Sequence, residues 1–280
     1  MGHYGLLGAL LALLTVLPLA WKWQLGMLRV GLTILLLCLL AAVVVSTPAL
    51  SWAMTDVEKA GLEWLLVIIA AFGLLAYRFY RDPERTPPAR SGVIVSPADG
   101  RVIYVRRSEN GVLPFSTKNG HHYKLSELTK TSLRSQEAVV VGISMSFLDV
   151  HVNRTPCSGR VSFRKHFHGL FGSLRRPEMI FENERATTVI ENDGYQVAVV
   201  QIASRLVRQI AVFLREGQDV ALGQRMGVIR LGSQVDVVLP MRENLIIAVR
   251  PGDHVRAGES IIAMLNSGLN DSKNCSQQQI

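Results

Sequence analysis

The stretch VIRLGSQVDVVLP, Val228–Pro240, decides how the larger part of this chain is read. Its β-branched residues describe one continuous strand, interrupted at its centre by the small pair Gly232–Ser233. Glycine inside a strand pattern marks a bulge, or a place where something must approach the backbone closely. The pair is therefore either a spacer or a chemical site. Segments of the same texture lie on both sides of it. Val93–Val95, Arg101–Val105, Ala138–Met145, Gly159–Phe163, Thr187–Ile190, Tyr195–Ile202, Gln209–Leu214, Val228–Ile229, Val235–Leu239, Leu245–Val249 and Ser260–Met264 are short, rich in β-branched residues and separated by Gly, Pro, Asn and Asp turns. That spacing predicts a mostly-β barrel or sandwich.

Before residue 80 the texture differs. Of 280 residues 49% are hydrophobic and the mean hydropathy is +0.24, high for a soluble protein. The excess sits in three runs, Gly5–Ala20, Gly26–Val45 and Leu62–Tyr77. A bilayer core needs about 20 apolar helical residues. The second run meets this, and the first and third do so with their flanks, where Trp21 and Trp23 bracket Lys22 and Tyr77 and Tyr80 bracket Arg78 as interfacial anchors. Two to three transmembrane helices are expected over residues 1–80. The N-terminus has no basic region and no small-residue cleavage site follows the first run, which argues against a cleaved signal peptide. Lys22 lies between the first two runs with Arg29 near the start of the second, Asp56, Glu58 and Lys59 lie between the second and third with Glu63 near the start of the third, and Arg78, Arg81, Arg85 and Arg90 follow. The positive-inside rule then places everything after Tyr80 on the cytoplasmic face of the inner membrane.

RDPERTPPAR, Arg81–Arg90, reads as a charged, proline-rich linker over residues 81–91. The main domain is expected over 92–265, and the polar residues 266–280 read as a disordered tail. A net charge of +8 with pI near 9.7 suits either nucleic acid or an anionic lipid surface. The basic residues gather beside the membrane runs and no recognition module is present, so lipid is expected and nucleic acid is not. Cys38, Cys157 and Cys275 are too few and too scattered for a disulfide framework or a zinc site.

One internal repeat is visible. LREGQDVALGQRMGVI (Leu214–Ile229) aligns with VRPGDHVRAGESIIAM (Val249–Met264), matching Arg215 with Arg250, Gly217 with Gly252, Val220 with Val255 and Gly223 with Gly258. This hairpin grammar resembles the half-motif of biotinyl and lipoyl carrier domains. The turns offer no acceptor lysine, so a scaffold is expected rather than a carrier.

Three places hold candidate chemistry. Asp99 lies in VSPADGRV, where Asp before Gly is also ordinary turn chemistry. His151 lies in FLDVHVNRTPCSGRV beside Asp149, Asn153 and Arg154, where it reads equally as a satisfied core histidine. The third is Gly232–Ser233 itself. His121–His122 and His166/His168, spaced i, i+1 and i, i+2 without nearby cysteines, form a poor zinc signature. They read as solvated loop residues, with His168 a candidate neighbour of a substrate, and no metal is expected. No P-loop, dinucleotide fingerprint or H-E-x-x-H occurs. The loop Arg106–Gln136 has no assignable role.

In order and context, Asp99 in SPADGRV, His151 in FLDVHVNRTPCSGRV and Ser233 in LGSQVDVVLP resemble the motifs of phosphatidylserine decarboxylases. YRFYRDPERTPP (Tyr77–Pro88) and ENERATTVI (Glu182–Ile190) are similar to the shorter, membrane-anchored branch of that family, and the likeness covers about residues 77–265. Gln234 follows the serine where the long-branch enzymes carry threonine. The resemblance implies decarboxylation of phosphatidylserine to phosphatidylethanolamine through a Schiff base to a pyruvoyl group, with neither metal nor pyridoxal phosphate. The group would arise from Ser233 by autocatalytic serinolysis: its Oγ attacks the carbonyl of Gly232, the chain parts by β-elimination, and hydrolysis leaves the ketone. His151 is implied as base and Asp99 as the carboxylate that orients it, the logic of a Ser-His-Asp triad. The partners implied are phosphatidylserine, anionic membrane lipid, and the two cleavage chains, 1–232 and 233–280, held as a heterodimer; homo-oligomerisation is left open. Arg154 or Arg185 would grip the lipid carboxylate or phosphate, unless each serves a structural ion pair. A competing class is a non-enzymatic, membrane-anchored, biotinyl-like adaptor of an envelope or export complex. It explains the repeat and the helices, but not why Asp99, His151 and Ser233 occur together.

Overall fold

A computed structural model describes residues 3–265, apart from 24, 115–122, 136, 171, 175, 177, 193, 205–208 and 231–232. The chain divides after Arg81 into two compact units.

The first unit is helical: α1 (His3–Lys22), α2 (Met27–Val45), the single turn α3 (Pro48–Ser51) and α4 (Asp56–Tyr80). Helices α1, α2 and α4 are each long and apolar enough to cross a membrane, at about 1.5 Å of rise per residue. They pack against one another around Ala12, Ile34, Cys38, Ala41 and Val67. Leu6, Leu10, Leu28, Leu32, Leu36 and Ile69 face outward. Small residues inside and leucines outside suit a hydrocarbon solvent, where helix association rests on close packing rather than on escape from water. A capping box starts α4: the Glu58 carboxylate accepts from the Thr55 amide at 2.7 Å, and the Thr55 hydroxyl accepts from the Glu58 amide. Further along α4, Glu63 is fully buried against Gly8 of α1, where an added Cβ would lie 2.9 Å from its carboxyl.

The second unit is mostly antiparallel β. Its first half comprises β1 (Val93–Val95), β2 (Gly100–Arg107), β3 (Val112–Leu113), β4 (Tyr123–Lys124), the short helix α5 (Leu125–Thr129), β5 (Ala138–Met145), β6 (Val152–Arg154) and β7 (Gly159–Phe167). The second half runs α6 (Met179–Glu182), β8 (Arg185–Asn192), β9 (Tyr195–Ala203), β10 (Gln209–Val212), β11 (Asp219–Val220), β12 (Arg225–Arg230) and β13 (Ser233–Pro240). Strands β14 (Leu245–Ile247), β15 (His254–Val255) and β16 (Ile261–Leu265) complete it.

Eight strands form the main sheet in the order β11-β7-β8-β9-β13-β5-β2-β15. Register shifts between Val102 and Tyr104 and between Val161 and Phe163 act as bulges, the device that lets such a sheet curl into a half-barrel. Two three-stranded sheets, β1-β16-β14 and β10-β12-β6, accompany it. The quoted stretch becomes the centre of the main sheet. All eight residues of β13 pair with β5, from Ser233↔Met145 to Pro240↔Ala138, and β9 pairs along its other side from Ser233↔Ala203. Both faces are covered. Ile143, Val199, Val235 and Val237 belong to one core, and Val140, Val200, Ile202 and Val238 to another. The stretch around 106–136 supplies β3, β4 and α5, whose Leu113, Tyr123, Leu125 and Leu128 cover that second face together with α6. There the rings of Tyr123 and Phe181 stack with centroids 3.7 Å apart.

Strands β11 and β15 are the two end strands of the main sheet, paired with β7 and β2 respectively. The Gly217 amide donates to the Val161 carbonyl and the Gly252 amide to the Val102 carbonyl, both at 2.8 Å. Residues 82–88 also lie against this unit: Arg154 and Arg225 bind Asp82, and Arg225 binds Glu84.

Candidate active site

Strand register gathers the candidate residues at one end of the main sheet. The chain leaves β12 at Arg230, passes residues 231–232, and re-enters as β13 at Ser233, opposite Met145 on one side and Ala203 on the other. Gly232 lies outside the described residues, and position 233 is placed by its backbone pairing. His151 reaches the same place from two directions. Beyond Met145 the chain turns at once, with the Ser146 amide donating to the Asp149 carboxylate at 2.6 Å. His151 follows, and its carbonyl accepts from the Ile229 amide at 3.2 Å. It is thus bound to the strand that enters the Gly232–Ser233 step, six residues beyond the partner of the strand that leaves it.

The imidazole is 2% exposed. Its Nδ1 lies 2.8 Å from the Asp149 carbonyl oxygen. A carbonyl only accepts, so in the neutral ring Nδ1 carries the proton and the basic lone pair is on Nε2. Nε2 is itself shielded from solvent. That is the tautomer a general base needs. A buried polar pair continues the site: Gln201 Nε2 donates to Asn153 Oδ1 at 2.8 Å, and Asn153 Nδ2 lies 3.9 Å from the Met145 sulfur.

Asp99 precedes β2, whose Arg101 is in register with Ser144, so it sits at the same sheet end. Two strand spacings, about 10 Å, separate it from the β13 row. Its carboxylate is not on His151. Arg85 Nη2 binds it at 3.0 Å, the Ala257 amide donates to Oδ1 at 2.7 Å, and Arg85 Nη1 reaches Glu259 at 2.8 Å. Arg85 comes from the segment that reads as a linker. Both arginines considered for lipid binding are also held within the fold, although one buried nitrogen of Arg185, Nη2, has no hydrogen-bond partner among the described residues. Arg154 donates to the carbonyls of Gly223 and Pro83 and pairs with Asp82. Arg185 is buried and donates to the carbonyls of Asn183 and Leu128, and burial pushes its guanidinium down to about 10.

The residue after the serine belongs to a buried network that the strand pattern concealed. Gln234 Nε2 donates to Tyr104 Oη at 2.8 Å and to Asp236 Oδ1 at 2.7 Å, and the Tyr104 hydroxyl donates to Asp236 Oδ2 at 2.8 Å. Tyr104 reaches β13 from β2 by lying across Gly142 of β5, where any Cβ would be 2.4 Å from its ring. Burial lifts Asp236 to about 6, against the pull of Gln234, Tyr104, Arg185 and Arg106. A separate cleft of about 300 Å³, lined by Leu133, Arg134, Tyr195, Gln196, Pro240 and Arg242, lies at the opposite end of the β5–β13 ladder. Cys157 is a core thiol that burial pushes up to about 12, and so an unreactive one.

Residues 72–263 match the family described as phosphatidylserine decarboxylase. The chain belongs to the phosphatidylserine decarboxylase family. Its relatives include a protein named putative archaetidylserine decarboxylase proenzyme from Methanocaldococcus jannaschii, 39% identical over 204 residues, 72% of this chain and 95% of the relative. Proteins named phosphatidylserine decarboxylase proenzyme from Pelobacter propionicus and Nitrosomonas europaea are 38% and 36% identical, over 73% of this chain and 82% and 84% of theirs. Membership in the phosphatidylserine decarboxylase family makes the chain an enzyme of phospholipid biosynthesis and sets the adaptor alternative aside. The matched span takes in Asp99, His151 and Ser233, and begins inside α4.

Proposed function

We propose that the chain cuts itself between Gly232 and Ser233 and, as a pyruvoyl enzyme, decarboxylates phosphatidylserine to phosphatidylethanolamine. The observation that carries this is the placement of position 233 as the first residue of a central strand, with His151 bonded to the strand just before it. In the scheme, Ser233 Oγ adds to the Gly232 carbonyl carbon while His151 Nε2 takes its proton. The peptide C–N bond breaks and the amine of residue 233 departs, leaving an ester. Loss of the Cα proton of residue 233 expels the Gly232 carboxylate, and water then replaces the nitrogen, which leaves as ammonia.

The site suits the group so formed. A break before position 233 severs no rung of the β13 ladders, so the short piece stays bound along β5 and β9, and through β16 along β1. A pyruvoyl group supplies a carbonyl that takes up the electrons left on Cα when CO₂ departs. His151 then holds a proton at Nε2 and returns it to Cα. The Asp149 carbonyl fixes its tautomer, and Asp99, held by Arg85 and the Ala257 amide, acts from the same sheet end to position the site. In this reading the repeat copies, akin to carrier-domain halves, serve as scaffold at the sheet ends. The apolar helices hold the catalytic unit at the cytoplasmic face of the inner membrane, where the arginines after α4 meet anionic lipid.

The test is release of CO₂ from carboxyl-labelled phosphatidylserine in mixed micelles. Wild type is expected to form phosphatidylethanolamine, and Ser233→Ala and His151→Ala none. Undiminished turnover by Ser233→Ala would overturn the pyruvoyl mechanism.

A further inference from the structure

Two histidines that the sequence places in a solvated loop acquire a third neighbour in the fold. His166 is on β7 and His168 just beyond it, and i, i+2 spacing on a strand puts both on one face. Pairing of His166 with Ala186 and Phe167 with Arg185 brings Glu184, the residue just before β8, opposite position 168. One nitrogen of each histidine and one Glu184 oxygen all lie within 4.8 Å of one another. His166 Nε2 is 2.9 Å from Glu184 Oε1, and the two imidazole centroids are 5.2 Å apart. A hydrogen bond between His166 and Glu184 explains that pair alone. It leaves unexplained why an exposed second imidazole converges on the same buried carboxylate.

We propose that His166, His168 and Glu184 bind one divalent transition-metal ion of the zinc class, and that its open positions take a phosphodiester oxygen of the lipid headgroup. Two histidines and a carboxylate are a ligand set that leaves coordination positions open. Ligand atoms about a tetrahedral ion stand about 3.4 Å apart, so the group needs to close by at most about 1.4 Å, which a side-chain rotation of the exposed His168 supplies. The carboxylate is the rigid member. The Glu184 amide donates to the Leu170 carbonyl at 3.0 Å and its carbonyl accepts from the Ala203 amide at 3.0 Å. Its side chain is buried while His168 is exposed, so the site is anchored on one side and open on the other.

The same Ala203 ties the cluster to the reaction. Ala203 is in register with position 233, and from β8 through β9 to β13 is two strand spacings, about 10 Å. In a phosphoserine headgroup the phosphorus lies about 5 Å from the amine at ordinary bond lengths, and a metal-bound oxygen extends that reach to about 8 Å. The bond from the amine to the carbon at position 233 adds about 1.3 Å, which brings the reach to within about 1 Å of the two strand spacings. This headgroup assignment rests on the decarboxylase reading; the metal assignment does not.

The experiment is a Co²⁺ titration of metal-stripped, full-length protein in detergent, followed by visible absorption. Wild type and Ser233→Ala are both expected to take up one Co²⁺ per chain, because uptake does not need processing. His168→Ala, at an exposed position that leaves the core intact, should bind more than about tenfold more weakly, and Glu184→Gln likewise. Added glycerophosphoserine should shift the bands. No uptake by wild type, or unchanged affinity in His168→Ala, would overturn the metal site. Bands unmoved by glycerophosphoserine would overturn its role in holding the headgroup, whatever the decarboxylation assay shows.

Discussion

Asp236 in the middle of β13 gives the β unit a stability that should fall as pH rises. Its carboxyl titrates near 6 in the fold against an ordinary 3.8, chiefly because it is buried. The folded state therefore keeps a proton that the unfolded chain has released between those values. The group's contribution is fully present below about pH 4 and declines as pH rises through 6. A shift of about two units at about 1.4 kcal/mol per unit makes the loss about 3 kcal/mol by pH 7. Asp236→Asn cannot titrate, so the stability advantage of wild type over the variant should shrink by that amount between pH 4 and pH 7. Comparing the two removes the pH dependence of every other group. Both should carry Ser233→Ala, so that a single chain is compared. All four tryptophans, Trp21, Trp23, Trp52 and Trp64, lie in the helical unit. Urea unfolding is therefore read from the strand signal near 218 nm. Parallel curves across this range would refute the burial argument and mean that Asp236 ionises normally, held by Gln234 and Tyr104.

Three further substitutions test the packing, two around the site and one in the helical unit. Gly142→Ala drives a methyl to within 2.4–2.7 Å of the Tyr104 ring and should cost at least the 1–3 kcal/mol of ordinary overpacking, with loss of the Tyr104–Asp236 bond, as seen in the urea midpoint. Arg85→Ala strips the cation from Asp99 and Glu259; removing one partner of a buried pair costs about 3–5 kcal/mol, and a loss under 1 kcal/mol would show the pair to be solvated. In the helical unit, Gly8→Leu should displace Glu63, 2.9 Å from the new Cβ, and lower the thermal midpoint read by the fluorescence of Trp64 on the same helix.

Much of the architecture was legible because it rests on local pattern. Runs of about 20 apolar residues leave few alternatives to membrane-length helices, and β-branched segments between turn residues marked most of the strands. What escaped depends on long-range neighbours. Gln234 and Asp236 alternate with valines as a half-solvated strand would, yet they are buried because the stretch around 106–136, which has no pattern of its own, folds over that face. Arg85 looks like linker charge until the fold sets it against Asp99 and Glu259, 14 and 174 residues away. Glu184 joins His166 and His168 only through the β7–β8 register, which a short ligand spacing in sequence cannot reveal. The order of Asp99, His151 and Ser233 was readable; that Asp99 would be held by Arg85 and the Ala257 amide was not.

The central claim is the break at Gly232–Ser233, and the intact mass of the purified full-length protein tests it most directly, beside Ser233→Ala. Self-cleavage predicts pieces of roughly 26 and 5 kDa in wild type, scaled by length from 30.9 kDa, with a pyruvoyl-blocked N-terminus on the smaller, and one uncut chain in the variant. A single 30.9 kDa chain in both, after reconstitution with lipid, would contradict it.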